Sequence, residues 1–310
     1  MGSGNPIMFK QTSRVKRLTL KSLLLVSGLT ATLLAVTNVS ANKTPTLLPS
    51  ILKGYQLQGK PLSIQGLKDN ASGLTYSPVT NTLFMVVNNP ETLYELSLSG
   101  EVLRMIILQG FEDTEGVAHI EGNRFAVLEE RRSEINFIDI NPETLVVKKS
   151  DSDRFALNIF TSSEKNLRLE GISIDHSTGD IYLVKEKSPR ALYKVSGLLD
   201  GKNNVQVSTP WNLEDDNNGS SDLSGLFFAP EQQRLLVLSD ESSKLTEFSL
   251  DGKPISEIKL SSFWQAQHKN IPQAEGVAVS ADGTLYIVSE PNLLYRFVNT
   301  TAKTASPSRG

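Results

Sequence analysis

The chain has 310 residues, 31 Lys and Arg against 34 Asp and Glu, a formal net charge of −3 and no cysteine. The missing cysteines exclude a disulfide scaffold, a thiol nucleophile, Cys-ligated zinc and an iron–sulfur cluster. Five of the basic residues and none of the acidic ones lie in residues 1–41, so the rest carries 26 basic against 34 acidic side chains, a net of −8 without a basic run, which argues against nucleic-acid binding.

Residues 1–41 open with Lys10, Arg14, Lys16, Arg17 and Lys21, continue through an apolar stretch from Leu23 to Val36, and end in Val39-Ser40-Ala41. A basic start, a short apolar run and small residues at a cleavage point read as an export signal. The alternative is an uncleaved anchor, although a span usually takes about 20 apolar residues. The expected location is periplasmic or extracellular, with membrane contact only through this segment if it is retained at the inner membrane. Residues 42–54 read as a linker.

From residue 55 onward one pattern repeats. "NASGLTYSPVTNTLFMVVNNP" begins at Asn70, "DTEGVAHIEGNRFAVLEER" at Asp113, "RLEGISIDHSTGDIYLVKEK" at Arg168, "DLSGLFFAPEQQRLLVLSDES" at Asp222 and "QAEGVAVSADGTLYIVSEP" at Gln273. Its glycines, Gly73, Gly116, Gly171, Gly225 and Gly276, are spaced by 43, 55, 54 and 51 residues, a period that suits one four-stranded sheet per repeat. Within each copy two apolar runs flank a turn rich in Pro, Asn, Asp or Gly, the mark of paired strands. A third strand follows, as in "TLYELSL" and "KLTEFSL", and in several copies a fourth, as in "GEVLRMIIL" and "GKPISEIKL". Long helical periodicity is missing from the repeat region.

The last copy stops after its third strand near Val298, while "YQLQGKPLSIQGL" at 55–67 looks like a strand end followed by a fourth strand. Sharing one blade between the two ends would remove the unpaired edges of the array. The expectation is an all-β, five-bladed β-propeller over 55–298 with four-stranded blades, closed by the N-terminal strand pairing with the C-terminal blade. It is expected to be a monomer, and "NTTAKTASPSRG" at 299–310 reads as a disordered tail.

In a propeller the first strand of each blade lines the channel and the second returns antiparallel, so the residue entering the first and the residue leaving the second meet at one mouth. Two rings follow. Ser72, Glu115, Glu170, Ser224 and Glu275 precede the glycines; Asn88, Glu129, Glu186, Asp240 and Glu290 end the second strands, with Glu130 and Glu241 as one-residue alternatives. Converging carboxylates repel, and partial burial raises their pKa values or costs stability. A bound cation resolves the conflict, and oxygen-only donors suit Ca²⁺, which accepts irregular shells of six to eight oxygens better than Mg²⁺ does. The competing reading is a rim of glutamates that are solvated or paired with Lys185, Lys187 and Arg131.

Other constellations are weaker. The histidines are His119, His176 and His268, at positions that suggest no shared site, and no G-x-S-x-G occurs. "LEDDNNGSSDLSG" at 213–225 lacks the spacing of a calcium loop ending in a bidentate Glu and reads as an inter-blade connection.

Taken together, "NASGLTYSPVTNTLF", "LEGISI", "YLVKEKSP", "YKVSGLL", "LLVLSDES", "QAEGVAV" and "YIVSEPNLLYRF" resemble the SdiA-regulated, YjiK-like family of exported bacterial proteins over nearly all of residues 50–298. The resemblance implies a five-bladed propeller with a calcium site, distantly similar to NHL-repeat propellers. The family name reports transcriptional control by a quorum-sensing regulator and no chemistry. Two functions remain open. One is a binding module of the cell envelope, with Ca²⁺ at the channel mouth and a small ligand or an envelope protein at the rim. The other is a calcium-dependent hydrolase of the lactonase, esterase or phosphoesterase type, in which the metal polarises a carbonyl or phosphoryl oxygen. The binding module is favoured, because many carboxylates would saturate the ion and no histidine stands at the mouth as base.

Overall fold

The computed structural model describes residues 48–157, 168–187, 189–201, 204–213, 220–261 and 271–301. The export segment at 1–41, the first part of the linker, the tail from 302, residues 214–219 of the acidic stretch, and His268 lie outside the described residues.

The repeated strand–turn pattern folds into five sheets, antiparallel but for one added edge strand on the first. Ahead of the first repeat stand β1 (Tyr55–Leu57) and β2 (Leu62–Ser63). Blade 1 is β3 (Ala71–Ser77), β4 (Thr82–Asn88), β5 (Glu91–Leu96) and β6 (Val102–Gln109). Blade 2 begins with β7 (Thr114–Glu121), β8 (Arg124–Glu129) and β9 (Glu134–Asp139). The chain then reaches back as β10 (Val146–Lys148), parallel to β6 on the outer edge of blade 1, before β11 (Asp153–Ala156) completes blade 2. Blade 3 is β12 (Leu169–Asp175), β13 (Asp180–Lys185), β14 (Arg190–Ser196) and β15 (Gln206–Leu213). Blade 4 is β16 (Gly225–Ala229), β17 (Arg234–Ser239), β18 (Lys244–Ser249) and β19 (Pro254–Lys259). Blade 5 is β20 (Ala274–Val279), β21 (Leu285–Ser289) and β22 (Leu293–Asn299).

The N-terminal strand closes the ring as expected. Tyr55 to Leu57 pair antiparallel with Asn299 to Phe297, and Leu62 pairs with Leu294. The closing strand is split into β1 and β2. Between them Gly59 has a φ of 74° and Pro61 has no N–H to give to the ladder. Residues 48–54 also dock: Arg234 donates to the carbonyls of Leu48 (2.8 Å) and Pro49 (3.2 Å), and Leu52 is buried between blades 4 and 5. Every described strand lies within residues 55–299, so a chain from residue 42 onward carries the complete ring.

The core is distributed as five apolar layers, one at each blade-to-blade interface. Phe84, Val86, Ile106 and Leu108 of blade 1 meet Val117, Phe125 and Val127 of blade 2, and Tyr182 of blade 3 stacks on Phe228 of blade 4 at 5.1 Å. Each such side chain contributes about 1.5–3 kcal/mol on burial, so removing a layer would open the ring.

The repeated glycine is explained at the axis. A Cβ on Gly73 would fall 2.7 Å from the Glu115 carbonyl oxygen, one on Gly225 2.7 Å from that of Glu275, and one on Gly276 2.7 Å from that of Ser72. Adjacent inner strands touch backbone to backbone there, which only a residue without a side chain allows. At this level the five glycines, with Glu170 and Glu275 and the residues that follow the glycines, leave a void of about 10 Å³, too tight for a water column. The channel is therefore constricted where the inner strands meet, and Glu170 and Glu275 border both this constriction and the mouth.

Candidate metal centre at the channel mouth

Each inner strand starts, and each second strand ends, at the same mouth. The structure brings together the whole inner ring of Ser72, Glu115, Glu170, Ser224 and Glu275, along with Asn88, Glu186, Asp240 and Glu290 of the outer ring, around a cavity of about 180 Å³. Lys187, Asp222 and Glu241 line it too.

Glu129 is not part of the mouth. It pairs across the sheet with Thr114, is fully buried, and accepts from Lys149 Nζ, Asn136 Nδ2 (2.9 Å) and the Glu112 N–H (2.6 Å). Its counterparts in the other blades are Val87, Lys185 and Ser289, opposite Ala71, Leu169 and Ala274. The outer-ring position in blade 2 is the next residue, Glu130. The sequence placed it one residue early because the first hairpins differ in length by one residue between blades.

A local device holds the outer ring. Three residues before the glycine, Asn70, Asp113, Arg168 and Gln273 adopt φ values of 68°, 58°, 52° and 33°. The carbonyls of Asp113, Arg168 and Gln273 accept the N–H groups of Glu130 (3.0 Å), Glu186 (2.9 Å) and Glu290 (3.0 Å). Blade 4 does this differently. The Asp222 carboxylate replaces the carbonyl, accepting from the N–H groups of Asp240 (3.1 Å) and Glu241 (3.2 Å) and from Ser239 Oγ. This adds a carboxylate that neither predicted ring contained. Asp113 holds the same place in blade 2, and one carboxylate oxygen from each of Asp113, Glu115 and Glu130 lie within 4.8 Å of one another. The shared offset of Asp113 and Asp222 from their glycines was the signal available in sequence.

The electrostatics follow from desolvation and from the crowding of carboxylates. Burial pushes Glu115 up to about 7, opposed by hydrogen bonds from Asn88 Nδ2 (2.8 Å) and Ser72 and reinforced by Asp113 and Glu130. Burial, then Asp240, Glu290, Glu115 and Asp222, raises Glu275 to about 8. Glu170 is held well above the carboxylate range by burial and by Glu115, Glu130, Glu186 and Glu275. Asp222, Asp240 and Glu290 are also raised, chiefly by burial. Among the described residues Lys187 is the one basic side chain lining the cavity, and it is paired with Glu186 (3.1 Å) and Glu241 (2.6 Å). Arg131 lies 3.4 Å from Asp113. The three inner glutamates thus sit in low dielectric with too little positive charge, and with donors that are all oxygen. That is the chemistry of a hard-cation site.

His119 and His176, which share no position in the repeat, come together with ring centroids 6.2 Å apart. They lie away from the mouth, at the far ends of β7 and β12. His119 Nε2 bonds the Gly122 carbonyl at 2.9 Å, and burial lowers its pKa.

Solved structures with the same fold include glutaminyl cyclase of Myxococcus xanthus, at 15 % identity over 79 % of this chain and 95 % of that one, with a TM-score of 0.54. A calcium-binding protein, regucalcin, of Agrobacterium tumefaciens is similar at 14 % identity over 78 % and 93 %, TM-score 0.51. A luciferin-regenerating enzyme is similar at 13 % identity over 78 % and 96 %, TM-score 0.51. These likenesses concern the propeller architecture. The SdiA-regulated family model matches residues 49–298, the whole ring of blades, and the chain belongs to the SdiA-regulated family.

Proposed function

We propose that this propeller is an exported, monomeric calcium-binding module of the cell envelope, with Ca²⁺ at the channel mouth and a ligand or partner held on the surrounding rim. The observation that carries the reading is the gathering of Glu115, Glu170 and Glu275, half-buried at the constricted channel, with fewer cations than carboxylates among the lining residues. Glu186, Asp240 and Glu290 offer a second tier of oxygens, and Asp222 and Glu130 extend it. Calcium binding is stated for regucalcin, but at 14 % identity that likeness bears on fold, and the argument rests on the donor set. Export is supported by the basic, apolar and small-residue order of residues 1–41. A neighbouring cavity of about 380 Å³, lined by Asn70, Asn88, Asn89, Glu91, Glu112, Asp113 and Arg131, supplies a polar rim for a ligand.

The test is a calorimetric calcium titration of residues 42–310, with lactone, aryl-ester and phosphate-ester substrates tried on the same samples. Saturable binding without turnover is expected, and Glu170→Gln should weaken it at least about tenfold, the scale of losing one carboxylate ligand from a divalent-ion site. Calcium-dependent turnover would move the protein to the hydrolase class, and absent binding would return the mouth to a rim of protonated and solvated carboxylates.

A further inference from the structure

The outer edge of blades 1 and 2 carries a surface that the acidic mouth does not explain. Alternation along β6 turns Leu103, Met105 and Ile107 to one side, and Val146 of β10 lies opposite Ile107 in the parallel pairing, next to Leu145. These five are 46–61 % exposed, and they make up five of the nine large apolar side chains exposed among the described residues. The exposed apolar surface is thus gathered rather than scattered, which marks an interaction site.

Two residues beyond Ile107, Gln109 pairs with Lys148, and the surface passes into a groove of about 410 Å³. Arg132, Lys148, Lys149 and Arg154 line this groove, and among the described residues no carboxylate does, although the chain beyond residue 41 has an acidic excess. Lys149 is committed to Glu129 and Glu134, and Arg132 to Glu112. Lys148 and Arg154 are exposed and have no charged partner among the described residues, and they stand at the end of an aliphatic row.

We propose that this edge docks on an anionic lipid surface, with Leu103, Met105, Ile107, Leu145 and Val146 at the acyl boundary and Lys148 and Arg154 against headgroup phosphates. The row is aliphatic and holds no Trp or Tyr, the anchors that dominate protein–protein contacts. Long cationic side chains beside apolar ones match the interfacial layer of a bilayer, where the stems stay in apolar surroundings and the charges reach phosphate. The acidic excess elsewhere repels such a surface, which confines contact to this edge. This contact is separate from the N-terminal segment and independent of calcium at the mouth.

The experiment is co-sedimentation of residues 42–310, which carry the complete ring and lack the apolar N-terminal run, with two kinds of vesicle. One is phosphatidylcholine alone, and the other is phosphatidylcholine and phosphatidylglycerol in equal parts. A chelator is present so that calcium cannot bridge the mouth to lipid. Association with the anionic vesicles should exceed that with the neutral ones by about tenfold or more. Lys148→Glu with Arg154→Glu should abolish that preference. Met105→Ser with Ile107→Ser should weaken association with both vesicles, and neither pair should change melting or calcium binding, because all four side chains are exposed. No association, equal association with both vesicles, or anionic binding that survives both variant pairs would overturn the proposal. Binding of polyglutamate at Lys148 and Arg154 without vesicle association would assign the edge to an acidic protein instead and would equally overturn it.

Discussion

Glu95, Glu129 and Glu247 inside the blades and Glu115, Glu170 and Glu275 at the mouth are the same side chain in two settings. Within the blades each carboxylate has a built-in cation: Arg104 for Glu95 at 2.5 Å, Lys149 for Glu129 and Arg234 for Glu247. Further donors complete them, such as Thr82 on Glu95 (2.8 Å) and Ser50 on Glu247 (2.8 Å). At the mouth Glu115, Glu170 and Glu275 are half-buried rather than fully enclosed, but their neighbours are other carboxylates, and the pKa values rise. The fold therefore gathers carboxylates in both places and supplies them with internal cations in only one. The difference locates where a cation from solution has a role.

The largest expected effect breaks the internal set. Lys149→Met leaves Glu129 buried without its ammonium and should cost about 3–5 kcal/mol in urea unfolding, while calcium affinity stays as in the parent. A parallel loss of calcium binding would show that the two sets are not separate.

Next comes the ion itself. Calcium at about 100 times its Kd should stabilise the domain by about 2.7 kcal/mol, and Glu170→Gln should remove most of that gain while leaving the calcium-free protein at least as stable as the parent at pH 8. Melting with and without calcium measures both.

A more gradual effect concerns pH. Glu115 and Glu275 have folded-state pKa values of about 7 and about 8, above the ordinary 4.5, so between these limits the folded state binds more protons than the unfolded one. Calcium-free stability is then greatest near and below pH 4.5, as far as these groups are concerned, and is lost as pH rises through 7 and 8. Glu275→Gln should flatten this fall, and calcium should suppress it. A calcium-free melting temperature that climbs from pH 6 to pH 8 would contradict the electrostatic account.

The smallest effect sharpens the comparison. Lys187 is the mouth's own cation, held by Glu186 and Glu241 near the surface. Lys187→Met should change stability by no more than about 1 kcal/mol, as for a solvent-screened pair, and should tighten calcium binding by freeing two carboxylates.

Much of this was legible in the sequence for physical reasons. The five glycines stand where a Cβ would crowd a neighbouring strand, at four of them against its backbone, and the residue just before each, including Glu115, Glu170 and Glu275, has a fixed position at the mouth. Turn residues between apolar runs gave the strands, and the "GKP" segment at 59–61 gave the closure. The outer ring was less readable because it is reached through hairpins of unequal length, which separated Glu129 from its true counterpart position at Glu130. Asp222 was hidden because its part is played by a side chain that stands in for a backbone carbonyl, and the pairing of His119 with His176 depends on how neighbouring blades face each other. The apolar row on β6 reads in sequence as an ordinary strand; its exposure is a property of its outer position.

The most direct measurement of the central claim is the number of protons released when calcium binds residues 42–310 at pH 7, taken from calorimetric titrations in buffers of different ionisation enthalpy. If the ion enters the mouth it must displace protons from glutamates whose pKa values lie near or above that pH, so net release is predicted, falling in Glu275→Gln. Calcium binding with no proton release, or with release unchanged in Glu275→Gln, would place the ion elsewhere and contradict the account.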